Sequence, residues 1–242
     1  MNPYKRLLPP LSWGIYSLCG LICAFFLSWL LLAKVNFGYA LLHDVMDIQQ
    51  HSHHYGPQNR HRHGFQYTSK GEHIRLFAEI NSAIHNQGKG LAEIQYHHPN
   101  GKVIDRLLHR AEVIHLQDVA NLLSTLTYLG GAATCIWLML ALIYRFNLVP
   151  EPNLKQHIGS MVSLLAFSAL AILIIGPVKV FYRFHEWVFP PDHQWFFYYQ
   201  DSLMTILMKA PDLFGAIAIL MTALAVLIFI ALNLALHYLK VR

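Results

Sequence analysis

Charge is the first thing this chain is short of. Asp, Glu, Lys and Arg make up 13% of its 242 residues, against roughly a quarter in an ordinary soluble domain. With 55% of the residues hydrophobic, too few charged side chains remain to clothe a water-soluble surface. Cysteine is scarce too. Cys19, Cys23 and Cys135 form no CxxC pair and lie in apolar stretches, which excludes a disulfide scaffold and a cysteine metal centre. There is no GxSxG nucleophile elbow, and Ser202 has no motif around it, so nothing points to a serine or cysteine nucleophile. Internal repeats are absent. Lys and Arg do not cluster with aromatics on a soluble domain, so a nucleic-acid partner is not expected.

What is present is a set of long apolar runs. Leu11–Ala33, Val119–Tyr144, Ile158–Val178 and Leu213–Leu236 contain no Asp, Glu, Lys or Arg, and each approaches or exceeds the ~20 residues a helix needs to cross ~30 Å of hydrocarbon. The first run follows Lys5 and Arg6 but is too long for the apolar part of a signal peptide, and no small-x-small cleavage site follows it. Leu18 precedes Cys19 and Ile22 precedes Cys23, so neither cysteine has the small predecessor of a lipoprotein signal. Lys5, Arg6, Arg145, Lys155, Lys240 and Arg242, opposed by Glu151, put both termini in the cytoplasm by the positive-inside rule.

The expected fold is an all-α membrane protein with four transmembrane helices and a small α+β extracytoplasmic cap. Its parts are a cytoplasmic N-terminus (1–10), a first span (11–34) and an outer cap (35–118) with a His-rich loop (51–63). A second span (119–144), a cytoplasmic loop (145–157) and a third span (158–178) follow. An outer aromatic-rich segment (179–212), a fourth span (213–237) and a cytoplasmic C-terminus (238–242) complete the chain.

Within the cap, Val35–Ile48 reads as a helical continuation above the membrane. The stretch HSHHYGPQNRHRH (51–63) carries five histidines without apolar periodicity and reads as a loop. Ile74, Phe77, Ile80 and Ile84 are spaced for a short amphipathic helix over Glu72–His85. Leu91–Tyr96 and Lys102–Leu107 flank Asn100-Gly101, both tolerant of positive φ, and predict a hairpin. From Arg110 the chain turns helical, and Gly130-Gly131-Ala132-Ala133 would admit a neighbouring helix at close range.

Two places invite chemistry. In Glu112-Val-Ile-His115-Leu-Gln-Asp118, helical steps of three place two acids near one imidazole at the mouth of the second span. A carboxylate there would fix the His115 tautomer, whereas the plain alternative is a polar helix end. His185-Glu186 lies beyond the third span in FYRFHEWVFPPDHQWFFYYQ (181–200), dense in Phe, Tyr and Trp. An imidazole in such an enclosure suits acid–base work, and the alternative is an interfacial anchor. Histidines 51, 53, 54, 61 and 63 offer imidazoles for Zn²⁺ or Cu²⁺ but lack a fixed ligand spacing.

These residues carry a resemblance. EVIHLQDV (112–119) resembles the E-x-x-H-M-x-D-V signature of the lipoprotein intramolecular transacylases. FHEWVFPPDHQWFFYYQDSL (184–203) followed by APDLF resembles their F-H-x-x-F-F…W-x-F…D-x-L…P-x-x-F stretch. Departures are Ala120 where the family has Lys, Val188-Phe189 for its Phe pair, and a missing Pro after the second aromatic group. The resemblance implies a bacterial cytoplasmic-membrane enzyme acting without cofactor or metal on a diacylated lipoprotein among membrane lipids. It would move an acyl chain from the sn-2 glyceryl oxygen to the α-amino group of the N-terminal Cys. It carries the catalytic roles to His115 and His185, with Glu112, Asp118 and Glu186 in support. Trp187, Phe189, Trp195, Phe196 and Phe197, with Asp201 of the D-x-L element, would bind substrate. Two rivals remain open: a Cu/Zn-handling membrane protein using the His-rich loop, and a non-catalytic lipid or lipoprotein binder.

Overall fold

A computed structural model describes residues 4–146, 148, 150 and 153–240. Glu151 and Arg242, used above for orientation, lie outside the described residues. Four helices are long and apolar enough to cross a membrane, over Leu11–Lys34, Arg110–Arg145, His157–Ile175 and Asp212–Tyr238. The chain divides into two compact units, Met1–Leu30 with Thr127–Arg183 and Met221–Arg242, and Leu31–Leu126 with Phe184–Leu220.

The first unit is built from α1 (Tyr4–Lys34), α5 (Arg110–Arg145), α6 (Leu154–Ile175) and α9 (Asp212–Lys240), each in the part that falls within it. Tyr16, Cys19, Ala133, Trp137, Ala141 and Tyr144 form one buried cluster, and Ala24, Met161, Ala225 and Phe229 another. Small residues decide the packing distance, since lipid supplies no hydrophobic drive between helices. A Cβ on Gly130 would fall 2.5 Å from the Phe26 ring, and one on Gly20 2.9 Å from Trp137. Ser28 Oγ donates to the Met221 carbonyl at 2.8 Å, tying α1 to α9. The outward faces are apolar, with Leu173 and Ile174 fully displayed on α6, as lipid-facing surface requires. Helix α6 stops at Ile175, short of the expected 178, because Gly176 takes φ +96° and Pro177 cannot continue the hydrogen-bond ladder.

The second unit opens with a break rather than the continuous helix expected over Val35–Ile48. A 3₁₀ turn at Asn36–Gly38 with Phe37 at φ +53° separates α1 from α2 (Tyr39–Val45). The His-rich stretch is also not simply a loop. Helix α3 (Ile48–Tyr55) takes its first five residues, burying Ile48 and Ser52, and a 3₁₀ turn at Gly56–Gln58 ends it. What favours helix is an i,i+4 contact together with tertiary packing: the His51 ring lies 4.7 Å from Tyr55 on the same helix and 4.5 Å from Tyr199.

Helix α4 (Lys70–His85) starts where Ser69 Oγ accepts the Glu72 N–H at 3.2 Å. Its buried stripe is His73, Leu76, Phe77, Ile80, Asn81 and Ala83, rotated from the expected one, with Ile74 and Ile84 only half-buried. His73 turns inward because its polar atoms are satisfied there. Thr68 Oγ donates to the Phe65 carbonyl at 2.5 Å, so it must accept from His73 Nε2–H at 2.7 Å. His73 Nδ1 is then an acceptor, met by His43 Nε2–H at 3.0 Å. Tyr39 stacks on Phe77 at 4.2 Å beside this chain. The hairpin forms around Gly101 at φ +84°, but its strands are short: β1 (Gln95–His97) pairs antiparallel with β2 (Val103–Arg106). Leu91–Glu93 is a 3₁₀ turn instead of strand.

Candidate active site

The site lies within the second unit. Helix α5 enters it through a variant of the capping box. His109 precedes the helix, and its Nδ1 accepts the Ala111 N–H at 3.2 Å, while Glu112 Oε2 accepts the His109 N–H at 2.7 Å. Glu112 is 1% exposed, and its other oxygen accepts Ser202 Oγ–H at 2.5 Å and Met204 N–H at 3.1 Å. Ser202 in turn accepts the Thr205 N–H at 3.0 Å and starts α8 (Leu203–Met208), all six of whose residues are buried. The Ser202 proton is thus directed at the Glu112 carboxylate. Burial and the nearby His61 hold the His109 imidazole below the ordinary histidine range.

One turn along α5, the His115 ring is buried, and its Nδ1 has no hydrogen-bond partner among the described residues. Helix α7 (Pro177–Val188) brings His185 to it, the ring centroids 6.4 Å apart and tilted by 31°. Aromatic rings enclose the pair. Phe189 lies 5.0 Å from His115 and 5.3 Å from His185, Phe197 6.0 Å from His115, and Trp195 4.9 Å from His185.

The remaining candidates are distributed unevenly. Trp187 is 89% exposed and makes no ring contact with the pair among the described residues. Helical geometry explains this: Phe189 stands four residues from His185 on one face, whereas Trp187 points about 200° away. Phe196 is turned outward, against Trp195 at 6.2 Å and Tyr198 at 5.1 Å, because the extended segment alternates Trp195 and Phe197 inward with Phe196 and Tyr198 outward. Glu186 is exposed. Asp118 does not bond the His115 ring; its Oδ2 accepts from His193 Nδ1 at 2.7 Å. Asp201 accepts from Arg60 Nη1 at 3.1 Å.

Sequence reasoning passed over His109, His61, His193 and Ser202 as parts of this neighbourhood. The His61 ring lies 5.0 Å from His109, which lies 5.7 Å from Phe197, so the end of the His-rich stretch reaches the enclosure. The spacing of His109 and Glu112 as N-cap and third helical residue was the signal available. Among the described residues no three His, Cys, Asp or Glu side chains are grouped to hold a metal ion. Chemically, the arrangement offers two imidazoles, one buried and one half-buried, among aromatic rings, each able to accept or donate one proton to the same small group.

A family model described as the lipoprotein intramolecular transacylase Lit matches residues 85–211. Three in meso structures of the membrane-integral lipoprotein intramolecular transacylase Lit from Bacillus cereus are similar in fold. A form with one histidine replaced by arginine has a TM-score of 0.67 at 19% identity, over 98% of this chain and 93% of that one. A form with the histidine replaced by alanine gives 0.64 at 18%, over 98% and 94%. The third gives 0.64 at 20%, over 96% and 95%. No curated protein sequence is similar enough to count as a match. With the family model covering more than half of the chain, and both signatures meeting at the histidine pair, this multi-pass membrane protein belongs to the lipoprotein intramolecular transacylase family.

Proposed function

We propose that this acyltransferase moves an acyl chain within a single diacylated lipoprotein, from the sn-2 glyceryl oxygen to the α-amino group of the N-terminal Cys, using His115 and His185. The observation that carries this reading is the approach of the two imidazoles, 6.4 Å between centroids, inside the ring of Phe189, Trp195 and Phe197. Donor and acceptor share one molecule, so the pocket has only to fold the lipid headgroup so that amine meets ester, and orientation of this kind is worth several kcal/mol. The amine nitrogen attacks the ester carbonyl carbon and passes a proton to one imidazole. The C–O bond to the glyceryl oxygen breaks as that oxygen takes a proton from the other ring, which enters the step as an imidazolium and leaves it neutral. An amide and a free glyceryl hydroxyl result, and exchange with water resets the two rings. No covalent enzyme intermediate is required.

The pocket belongs on the outer face of the membrane, with both termini in the cytoplasm, as the basic residues Arg145 and Lys155 between the second and third spans favour. A C-terminal reporter fusion should be active only in the cytoplasm. Replacing either histidine by alanine should slow acyl transfer by at least ~10²-fold, about 2.7 kcal/mol of barrier. The double variant should cost far less than the product of the two. Normal turnover in both single variants, at matched protein levels, would leave a lipoprotein-binding role in its place.

A further inference from the structure

The aromatic enclosure hangs on a segment with no regular structure. Between the end of α7 at Val188 and the start of α8 at Leu203, the chain is turns and extended backbone, yet it carries Phe189, Trp195 and Phe197. Rings on such a segment stay in place only if side-chain bonds fix it, since an ordered loop residue forgoes ~1–2 kcal/mol of backbone entropy. Two acids of α5, three residues before and three after His115, grip the segment near its two ends. Glu112 holds the C-terminal end through Ser202 and Met204, entirely buried. Asp118 holds the N-terminal part through His193, at 2.7 Å and partly open to water.

We propose that His193 is a positioning residue, a latch on Asp118 that holds Trp195 against His185 and so shapes the pocket for the lipid part of the substrate. This rests on the function proposed above. A carboxylate only accepts, so His193 Nδ1 carries the proton of this bond in either charge state, and Nε2 is left for water. The bond joins the loop to the same helix that presents His115. Two residues further on, Trp195 packs 4.9 Å from the His185 ring. The charged groups facing His193 are both acids, Asp118 of α5 and Asp192 of its own loop. The hydrogen bond to Asp118 accordingly holds the His193 imidazole above the usual histidine range. Protonated, the latch is a charge-assisted pair; deprotonated, it keeps one neutral hydrogen bond. It is therefore strongest below that raised value and weakens as pH rises through it.

The test measures acyl transfer on a synthetic diacylated lipopeptide in detergent micelles, as KM and kcat against pH, for the wild type and for His193→Ala and His193→Asn. His193→Ala should raise KM by ~10-fold or more while kcat falls less, because a misplaced wall weakens lipid binding before it disturbs the imidazoles. The wild-type KM should rise on the alkaline side as the latch weakens, and both variants should lack that rise, while the alkaline fall in kcat expected of the acid–base pair stays in all three. His193→Asn retains an N–H aimed at Asp118 and should recover most of the KM. A His193→Ala enzyme with wild-type KM and wild-type pH profile overturns the latch, as does a His193→Asn enzyme as impaired as His193→Ala. If His193→Ala fails to fold, the His193→Asn profile decides alone: an alkaline rise in KM that persists in it overturns the proposal. Failure of the wild type to transfer the acyl chain would instead overturn the functional reading.

Discussion

Removing the Glu112 carboxylate should loosen the joint between α5 and α8 by an amount the structure allows to be estimated. Glu112→Ala strips the acceptor from three donors at once, Ser202 Oγ, Met204 N and His109 N. Ser202 is fully buried and Met204 nearly so, so these two have no ready access to water, and an unsatisfied buried donor costs ~1–3 kcal/mol. Against this stands the relief of desolvating a carboxylate that has no Lys or Arg within ion-pair reach among the described residues. The net loss should be ~2–4 kcal/mol, a fall of roughly 5–15 °C in melting temperature for a chain of this size. Glu112→Gln keeps an oxygen for Ser202 and Met204 but turns an amide N–H₂ towards the His109 N–H, so its fall should be about half as large. Thermal unfolding of the detergent-purified variants measures the order wild type, Gln, Ala. Both variants melting with the wild type would refute the clamp. A Glu112→Gln enzyme that is stable yet slower by more than ~10²-fold would show a direct part in proton transfer instead.

Acid should weaken the second unit through His73, which burial, followed by the neighbouring His43, pushes down to about 3. The unfolded chain takes up this proton below ~6.5 and the folded one does not, so stability present above that pH is lost as it falls towards 3, at up to ~1.4 kcal/mol per unit. Apparent melting temperatures between pH 7.5 and 4.5 should fall in the wild type and fall less steeply in His73→Gln; equal slopes would contradict this. In the His-rich stretch, Asn59 accepts the His61 and Arg62 N–H groups while buried, so Asn59→Ala should cost ~1–2 kcal/mol. His53→Ala and His54→Ala, both exposed, should leave transfer and melting unchanged, and loss of transfer in either would reopen a metal-handling role.

The spans were legible because charge-free runs of this length have one physical outcome in an aqueous cell. The Gly176-Pro177 break inside the third run is written in residues that end helices, but hydropathy alone runs straight through it. The pairing of His115 with His185 rested on two motifs, since no periodicity links residues on separate helices. Helix α3 escaped because its polar residues show no apolar stripe, and His51 is half-buried and Ser52 buried by distant parts of the chain, Tyr199 among them. The rotation of α4 has the same origin: His73 looks polar in sequence and is interior because Thr68 and His43 satisfy both its nitrogens. Asp118 was assigned to His115 by helical spacing, which says which residues are neighbours on one helix and nothing about the competing His193 arriving from a loop. The wall was half legible for a similar reason. Composition marks the segment as aromatic, whereas the alternation of an extended chain decides which rings turn inward.

The most direct test of the central claim is a crossover experiment. A lipopeptide with a heavy sn-2 acyl chain and a light peptide is mixed with one carrying a light chain and a heavy peptide, and the products are resolved by mass spectrometry after treatment with the purified protein. Transfer within one molecule predicts N-acylated lyso products in which heavy chain stays on light peptide and light chain on heavy peptide. Those products should form at least ~10²-fold more slowly with His115→Ala and with His185→Ala. Scrambled labels, or unmodified α-amino groups with the wild-type protein, would contradict the account.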